Sequence, residues 1–387
     1  MDLKRTLKRR ALRSRLRVLD ADSVKAVRHF QTAISLHCHT QHSRETFDFI
    51  PHHAAQIPIV RQMFRIEMKR YEARHGRPID FTRAWWAPPV TARAVFEGET
   101  GQIARRLGMR ALVSITDHDE IEGCSLLQVL NLPEAVPISM EWTVPYGVGY
   151  FHIGVHNLPP DQAPGLARAL IAYTRQPQGN ELADLFALLN ELPGVLLVLN
   201  HPHWGIECIG RERHEAALKN FLSEYSHRIH AFEVNGFRFW HENEETILMA
   251  NELAFSIISG GDRHGCQANT TLNLTGAASF EEFAAEVRDG ASEVLVLPDY
   301  SEPMAARMLE AAAETLREYP HYPENQRRWT DRVFVQAEDG EVQSLSCLWE
   351  NGGPVWARAA VRMTCLLGSP RFRPALRLAL SSEEVLS

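Results

Sequence analysis

The sequence predicts an α/β protein whose strands close into a (β/α) barrel. Three observations point there: short apolar runs rich in β-formers alternate with helical patterns, seven or eight such units occur, and strand after strand ends in a histidine or an acid. Near-continuous apolar strands separated by helices imply a parallel sheet covered on both faces. A barrel gathers its strand ends into one ring, so a site at its mouth draws groups from several of them. An open doubly wound sheet concentrates its site at one switch point and has little use for polar residues on six strand ends.

In chain order, the predicted strands are "AISLH" (33–37), "ALVSIT" (111–116), "VPISME" (136–141), "GYFHIGV" (149–155), "VLLVLN" (195–200), "HAFEV" (230–234), "FSIISG" (255–260) and "VLVL" (294–297). Helical periodicity appears at 100–108, 182–192, 244–253 and 280–290. Before the first strand, Leu3, Leu7, Leu12, Leu16 and Leu19 recur at helical spacing among eight Lys/Arg, so residues 2–19 read as a basic amphipathic helix within an N-terminal segment 1–30. That segment precedes a barrel spanning 31–300. About seventy residues separate the first two strands, far more than an ordinary connection. This insertion (46–92) carries a Trp85–Trp86 pair and must emerge at the mouth, either as a lid that grips a phosphate and stacks a base or as plain packing. A clear helix at 303–320 opens a C-terminal extension, 301–387.

Composition is that of an ordinary globular chain, 45% hydrophobic and 23% charged. The net charge is −7, and because the first twenty residues are strongly basic the remainder is more acidic still. An acidic body argues against sequence-independent nucleic-acid binding by the whole surface, while a local basic arm or cleft can still hold phosphates. Six cysteines without CxxC pairs, no apolar leader after the basic start and no run long enough to span a bilayer lead to the expectation of a reduced, cytoplasmic protein.

Chemistry starts at "SLHCHTQHSRE" (35–45). His37 and His39, two apart on an extended chain, project from one face and suit chelation of one divalent ion. Alone, the pair is weak in a chain with eighteen histidines. But "SITDHDEIEG" adds Asp117, His118 and Asp119, "SMEWT" adds Glu141, "LNHPHW" adds His201, and "SGGDRHG" adds Asp262 and His264. Burying carboxylates and imidazoles at five strand ends is costly unless cations neutralise them.

These residues resemble, in order over 35–265, the motifs of the PHP family, named for polymerase and histidinol phosphatase: an HxH strand, a "TDH", a strand-end glutamate, an "HIL"-like segment with His152, an "HP" and a "GSDxH". The resemblance implies a distorted (β/α)7 barrel, two or three Mn, Zn or Fe ions, and hydrolysis of phosphate esters. Carried over by position, His37, His39, Glu141 and Asp262 would hold one ion, and Glu141 would be shared with a second held by His152 and His201. His118 and His264 would hold a third together with a group from the opening motif, for which Glu45 is the choice. Asp262 or a histidine near the third ion, such as His264, would relay the proton to the leaving oxygen, and Arg44 or His203 would orient the phosphate.

The chain departs from the family where Ser35 replaces an aspartate and where the stretch after the second histidine reads Ser43–Arg44–Glu45. Arg44 either clamps the substrate phosphate or stands in for the third ion's charge. His156, on the same strand face as His152, is the alternative ligand; His42 reads as a bystander, Cys38 as a core thiol, and Glu233 and Asn235 as hydrogen-bonding support. The partner expected is a phosphate-ester small molecule or nucleotide, with nucleic acid also compatible. The alternatives are a non-catalytic regulatory or scaffold protein on the same fold and an amidohydrolase-type enzyme, against which stands a glutamate where such enzymes place a modified lysine. "HCHTQH" also evokes the metallo-β-lactamase HxHxDH, but Gln41 occupies the aspartate position.

Overall fold

The computed structural model describes residues 14–18, 27–47, 56, 58–76, 78–130, 136–336, 340–349 and 352–379. Its strands are β1 (Ser14–Val18), β2 (Thr32–Cys38), β3 (Glu45–Thr46), β4 (Ala84–Trp86), β5 (Arg110–Ile115), β6 (Ile138–Tyr146), β7 (Gly149–Leu158), β8 (Leu196–Leu199), β9 (Ala231–Asn235), β10 (Ser256–Gly260), β11 (Thr271–Thr275), β12 (Ser292–Val296), β13 (Val333–Gln336) and β14 (Val342–Ser344). They form two five-stranded sheets, β1-β12-β11-β2-β5 and β10-β9-β8-β7-β6, and a four-stranded accessory sheet, β14-β13-β4-β3.

The fold is mixed α/β, and among the described residues the strand ladders do not close into the expected continuous barrel. The two large sheets instead meet through local bonds clustered near the strand ends. On one side His118 bridges Glu141, with Asp119 N–H donating to Glu141 C=O (2.9 Å) and Glu141 N–H to Asp117 C=O (3.2 Å). On the other, Asp262 N–H donates to His37 C=O (2.7 Å) and His39 N–H to Arg263 C=O (3.0 Å). Nor is the pairing all parallel. β6 and β7, expected as separate parallel strands, are the two arms of one antiparallel hairpin whose tight turn places Gly147 at φ 61°.

Ser14–Val18, expected within a basic amphipathic helix, is a strand parallel to β12. In "SRLRV" apolar and basic residues alternate with period two, and pairing with β12 satisfies backbone groups that a lone segment leaves open. Residues 1–13 and 19–26 of that basic segment lie outside the described residues, as do His52 and His53 of the insertion. No helix among the described residues is long and apolar enough to cross a membrane.

Burial explains the strands that position the site. β8 is buried along its length, which is why "LLVL" is apolar at every position rather than at alternate ones. Trp142 on β6 is fully buried, packs edge-on to Tyr173 and near Phe186, and donates its indole N–H to Leu170 C=O (3.0 Å) and Thr174 Oγ1 (3.1 Å). Phe186→Ala is expected to cost about 3–5 kcal/mol in urea unfolding; a loss below about 1 kcal/mol would contradict this packing.

Candidate metal centre

His37, His39, His118, His201, Asp262 and His264 reach the site at or just past the ends of their strands, where the chain turns, whereas Glu141 and His152 project from within the β6–β7 hairpin. His37, Asp119, His201 and Asp262 all adopt positive φ (62°, 48°, 23° and 50°) without being glycine. Such conformations are sparsely populated and persist where surrounding contacts over-determine them. At His37 the register of β2 against β5 shifts between Leu36 and Cys38, which turns His37 and His39 into the site and sends Cys38 to the other side. Cys38 is fully buried there, and burial together with the Glu99 charge pushes its thiol up to about 12.

Glu141 is the hub. Its Oε2 lies 2.9 Å from His37 Nε2, 3.1 Å from His118 Nε2 and 3.4 Å from His39 Nε2; its Oε1 lies 3.1 Å from His201 Nε2 and 3.4 Å from His152 Nδ1. Asn200 Nδ2 also donates to Oε1 at 3.0 Å. Asp262 Oδ1 approaches His37 Nε2 at 3.7 Å and His39 Nε2 at 3.6 Å. Glu45 forms a second hub: its Oε1 lies 2.7 Å from His264 Nε2, 2.9 Å from His118 Nε2 and 3.7 Å from His39 Nδ1. All nine expected ligands are thus brought together, with His118 between the two hubs.

Four groups of donor atoms lie within 4.8 Å of one another and can hold a cation: His39, Glu45, His118 and His264; His37, His39 and Glu141; His118, Glu141 and His152; and His37, His201 and Glu233. The donor set fits divalent ions on a specific ground. His39 Nε2 and His152 Nδ1 are buried, make no hydrogen bond and point toward carboxylate oxygens beyond hydrogen-bonding geometry. Buried polar atoms left in that state are costly, and a cation between nitrogen and oxygen removes the cost.

Electrostatics divide the imidazoles. Burial opposes charge on His37, but Glu141 and Glu233 outweigh it and hold the ring well above its usual range. Burial likewise opposes His118, and Glu45 and Glu141 bring it up to about 10. Burial and then the neighbouring His264 push His39 down to about 3, and burial holds His152 well below the ordinary value. For Asp262 burial works against the charge, yet Arg238 and then His39 keep the carboxyl well below its usual range.

Around the ligands sit groups that aim them. Glu233 Oε1 lies 2.5 Å from His37 Nδ1, while its Oε2 accepts from His201 N–H (3.0 Å) and Asn235 Nδ2 (2.9 Å). An oxygen behind a ligand imidazole fixes its tautomer and orientation. Asp117 faces away from the hubs: Thr40 donates to it from N–H (2.5 Å) and Oγ1 (2.8 Å), and burial moves its carboxyl up to about 7. His156 points inward, with Nδ1 2.8 Å from Ser114 Oγ, so His152 is the one that faces Glu141.

Two expected site residues stand apart. Arg44 pairs with Glu120 (3.2 Å), lies over Trp85 (5.9 Å) and is 46% exposed. His203 lies 3.7 Å from Glu245, and neither of its ring nitrogens makes a hydrogen bond. Arg238 was not anticipated, because "NGFRFW" matches no motif. Its Nη2 lies 2.9 Å from Asp262 Oδ2, and its guanidinium lies 5.9 Å from the Trp204 ring, which itself stacks on His152 (5.5 Å). On the opposite flank Trp86 lies 5.5 Å from His264.

No family model and no curated protein matches the chain. Among solved structures, it is similar to an amidohydrolase from Chromobacterium violaceum with bound sulfate and no metal (16% identity, 46% of this chain and 83% of that one, TM-score 0.31). It is also similar to a chain from Bifidobacterium adolescentis named as a metal-dependent phosphoesterase (14% identity, 64% of this chain and 90% of that one, TM-score 0.31). Similarity this low fixes neither fold nor activity.

A Cβ on Gly260 would fall 1.6 Å from Glu233 Oε1 and 2.8 Å from His37 Cβ. Gly260→Ala is therefore expected to displace Glu233 from His37 and weaken Mn²⁺ binding at least about tenfold by calorimetry. Unchanged affinity would show that Glu233 does not orient His37.

Proposed function

We propose that the chain is a metal-dependent phosphoesterase of PHP type, hydrolysing a small phosphomonoester or nucleotide-like substrate. The observation that carries this reading is the buried Glu141 carboxylate, whose two oxygens face imidazoles from separate strands: His37, His39 and His118 on one, His152 and His201 on the other. In this reading His37, His39, Glu141 and Asp262 would hold one ion, and Glu141, His152 and His201 a second, with His118 alongside. Glu45, His118 and His264 would hold a third. Mn, Zn or Fe ions there would supply Lewis acidity toward phosphoryl oxygens and lower the pKa of water.

The chain's own groups have the following parts. Arg238, fixed by Asp262 and backed by Trp204, orients the phosphate and offsets its charge. Arg44 pairs with Glu120 outside the set of expected ligands, whereas Arg238 pairs with Asp262 within it, so Arg238 is the better placed guanidinium. His264, held by Glu45 and half-buried, would either hold the third ion or, where that ion is absent, pass a proton to the departing oxygen. Trp86 and Trp204 wall the two flanks and limit water there. The six cysteines form no CxxC pairs, in keeping with the reducing, cytoplasmic setting we propose. The proposed organisation is an N-terminal segment 1–30 that lends β1 to the sheet of a catalytic unit 31–300, and an extension 301–387.

The test is metal analysis of protein purified without chelator, followed by assay of nucleotides, sugar phosphates and short oligonucleotides with added Mn²⁺. The expected result is at least two divalent ions per chain and hydrolysis that chelator abolishes and Mn²⁺ restores. Glu141→Ala and Asp262→Ala should each lower turnover by about a thousandfold or more and reduce bound metal while the circular dichroism spectrum is kept. Absence of bound metal together with no turnover on any phosphate ester would sink the proposal.

A further inference from the structure

Behind the ligands lies a buried polar network that the proposed chemistry does not use. Glu99, from the helix Ala92–Leu107, is fully buried. Its Oε1 accepts from Arg263 Nη1 (3.0 Å) and from Asn269 N–H (3.0 Å), and its Oε2 accepts from Ser35 Oγ (2.9 Å). Asn269 Nδ2 in turn donates to Ser35 Oγ (2.8 Å) and Leu36 C=O (3.0 Å), and Gln102 Nε2 caps Asn269 C=O (2.7 Å).

The covalent positions of these partners give the network its meaning. Arg263 lies between Asp262 and His264, and Ser35 lies two residues before His37. One carboxylate therefore grips both chain segments that carry the first two and the last two expected ligands. Those segments contain the strained residues His37 (φ 62°) and Asp262 (φ 50°), and they pair through Asp262 N–H to His37 C=O and His39 N–H to Arg263 C=O. Strained backbone persists only where its surroundings over-determine it, and a buried charge pair whose carboxylate accepts three hydrogen bonds from both segments does so.

We propose that Glu99 is a positioning residue which, through Arg263 and Ser35, holds the His37–His39 and Asp262–His264 segments in the geometry that binds divalent ions. This rests on the reading of the site as a metal centre. A general stabilising role predicts something different: a buried ion pair replaced on both sides by apolar groups often loses no stability, whereas removal of one partner strands the other charge. Stability and metal affinity are therefore separable.

The experiment measures the Mn²⁺ dissociation constant by calorimetry and the thermal midpoint by circular dichroism for the full chain and three variants. Glu99→Ala is expected to lower both affinity and midpoint. Glu99→Ala/Arg263→Met is expected to recover most of the midpoint while Mn²⁺ affinity stays about tenfold or more below wild type. Ser35→Ala, which cuts the hydroxyl link and leaves the ion pair, is expected to weaken Mn²⁺ binding about tenfold, with little change in midpoint; it decides the matter should the double variant not fold. Wild-type affinity in the double variant, or in both Glu99→Ala and Ser35→Ala, would overturn the proposal with the metal reading intact. A wild-type chain that binds no Mn²⁺ would overturn both.

Discussion

A single carboxylate organises this protein. Glu141 sits fully buried at the point where β5 and β6 meet, and five imidazoles from four separate segments of the chain close on its two oxygens. Taking that many ionisable groups out of water costs several kcal/mol per charge, and the hydrogen bonds among these groups leave His39 Nε2 and His152 Nδ1 unpaired. The strand ends, the positive-φ turns and the seams between the two large sheets all serve to bring these groups to one place.

Three supporting acids then act in different directions. Glu233 aims His37, Asp262 is itself fixed by Arg238, and Glu99 ties down the segments on either side of the site. The accessory sheet adds a dependence that crosses the whole chain. Glu45 lies opposite Trp86 in the β3–β4 pairing, and β4 in turn pairs with β13 from the extension, so the Glu45 hub rests on residues some three hundred positions away. Ala87 N–H also donates to Arg332 C=O (2.8 Å), and buried Arg332 secures Thr315 and Arg317 carbonyls. The insertion and the extension thus share one sheet behind Glu45.

Much of this was legible in the sequence. Apolar runs such as "VLLVLN" and "FSIISG" read as strands because both faces are buried, and several of the expected ligands, among them His37, His118, Glu141 and His201, stand at or just past the end of such a run. Other parts were not. "TLNLT" is not among the expected strands, yet it is β11: Asn273 satisfies the backbone of Ser259 and Thr271 that of Gly260, so its polar positions face the seam between sheets rather than solvent. The leucine spacing near the N-terminus suggested a helix where Ser14–Val18 pairs with β12, a tertiary contact overriding local periodicity. Closure into a barrel was inferred from the number of units, but the β6–β7 hairpin and the antiparallel β11 change the pairing without changing where the strand ends meet. Glu99 and Arg238 carry no local signal, because each matters only through a partner distant in sequence.

The most direct test of the central claim is electron paramagnetic resonance of the Mn²⁺-loaded protein. A carboxylate shared between two ions couples their spins, so the wild-type chain is predicted to give an exchange-coupled multiline spectrum that Glu141→Gln replaces with the six-line signal of isolated Mn²⁺. An isolated six-line spectrum from the fully loaded wild-type chain, indistinguishable from that of the variant, would contradict the placing of Glu141 at the centre of the site.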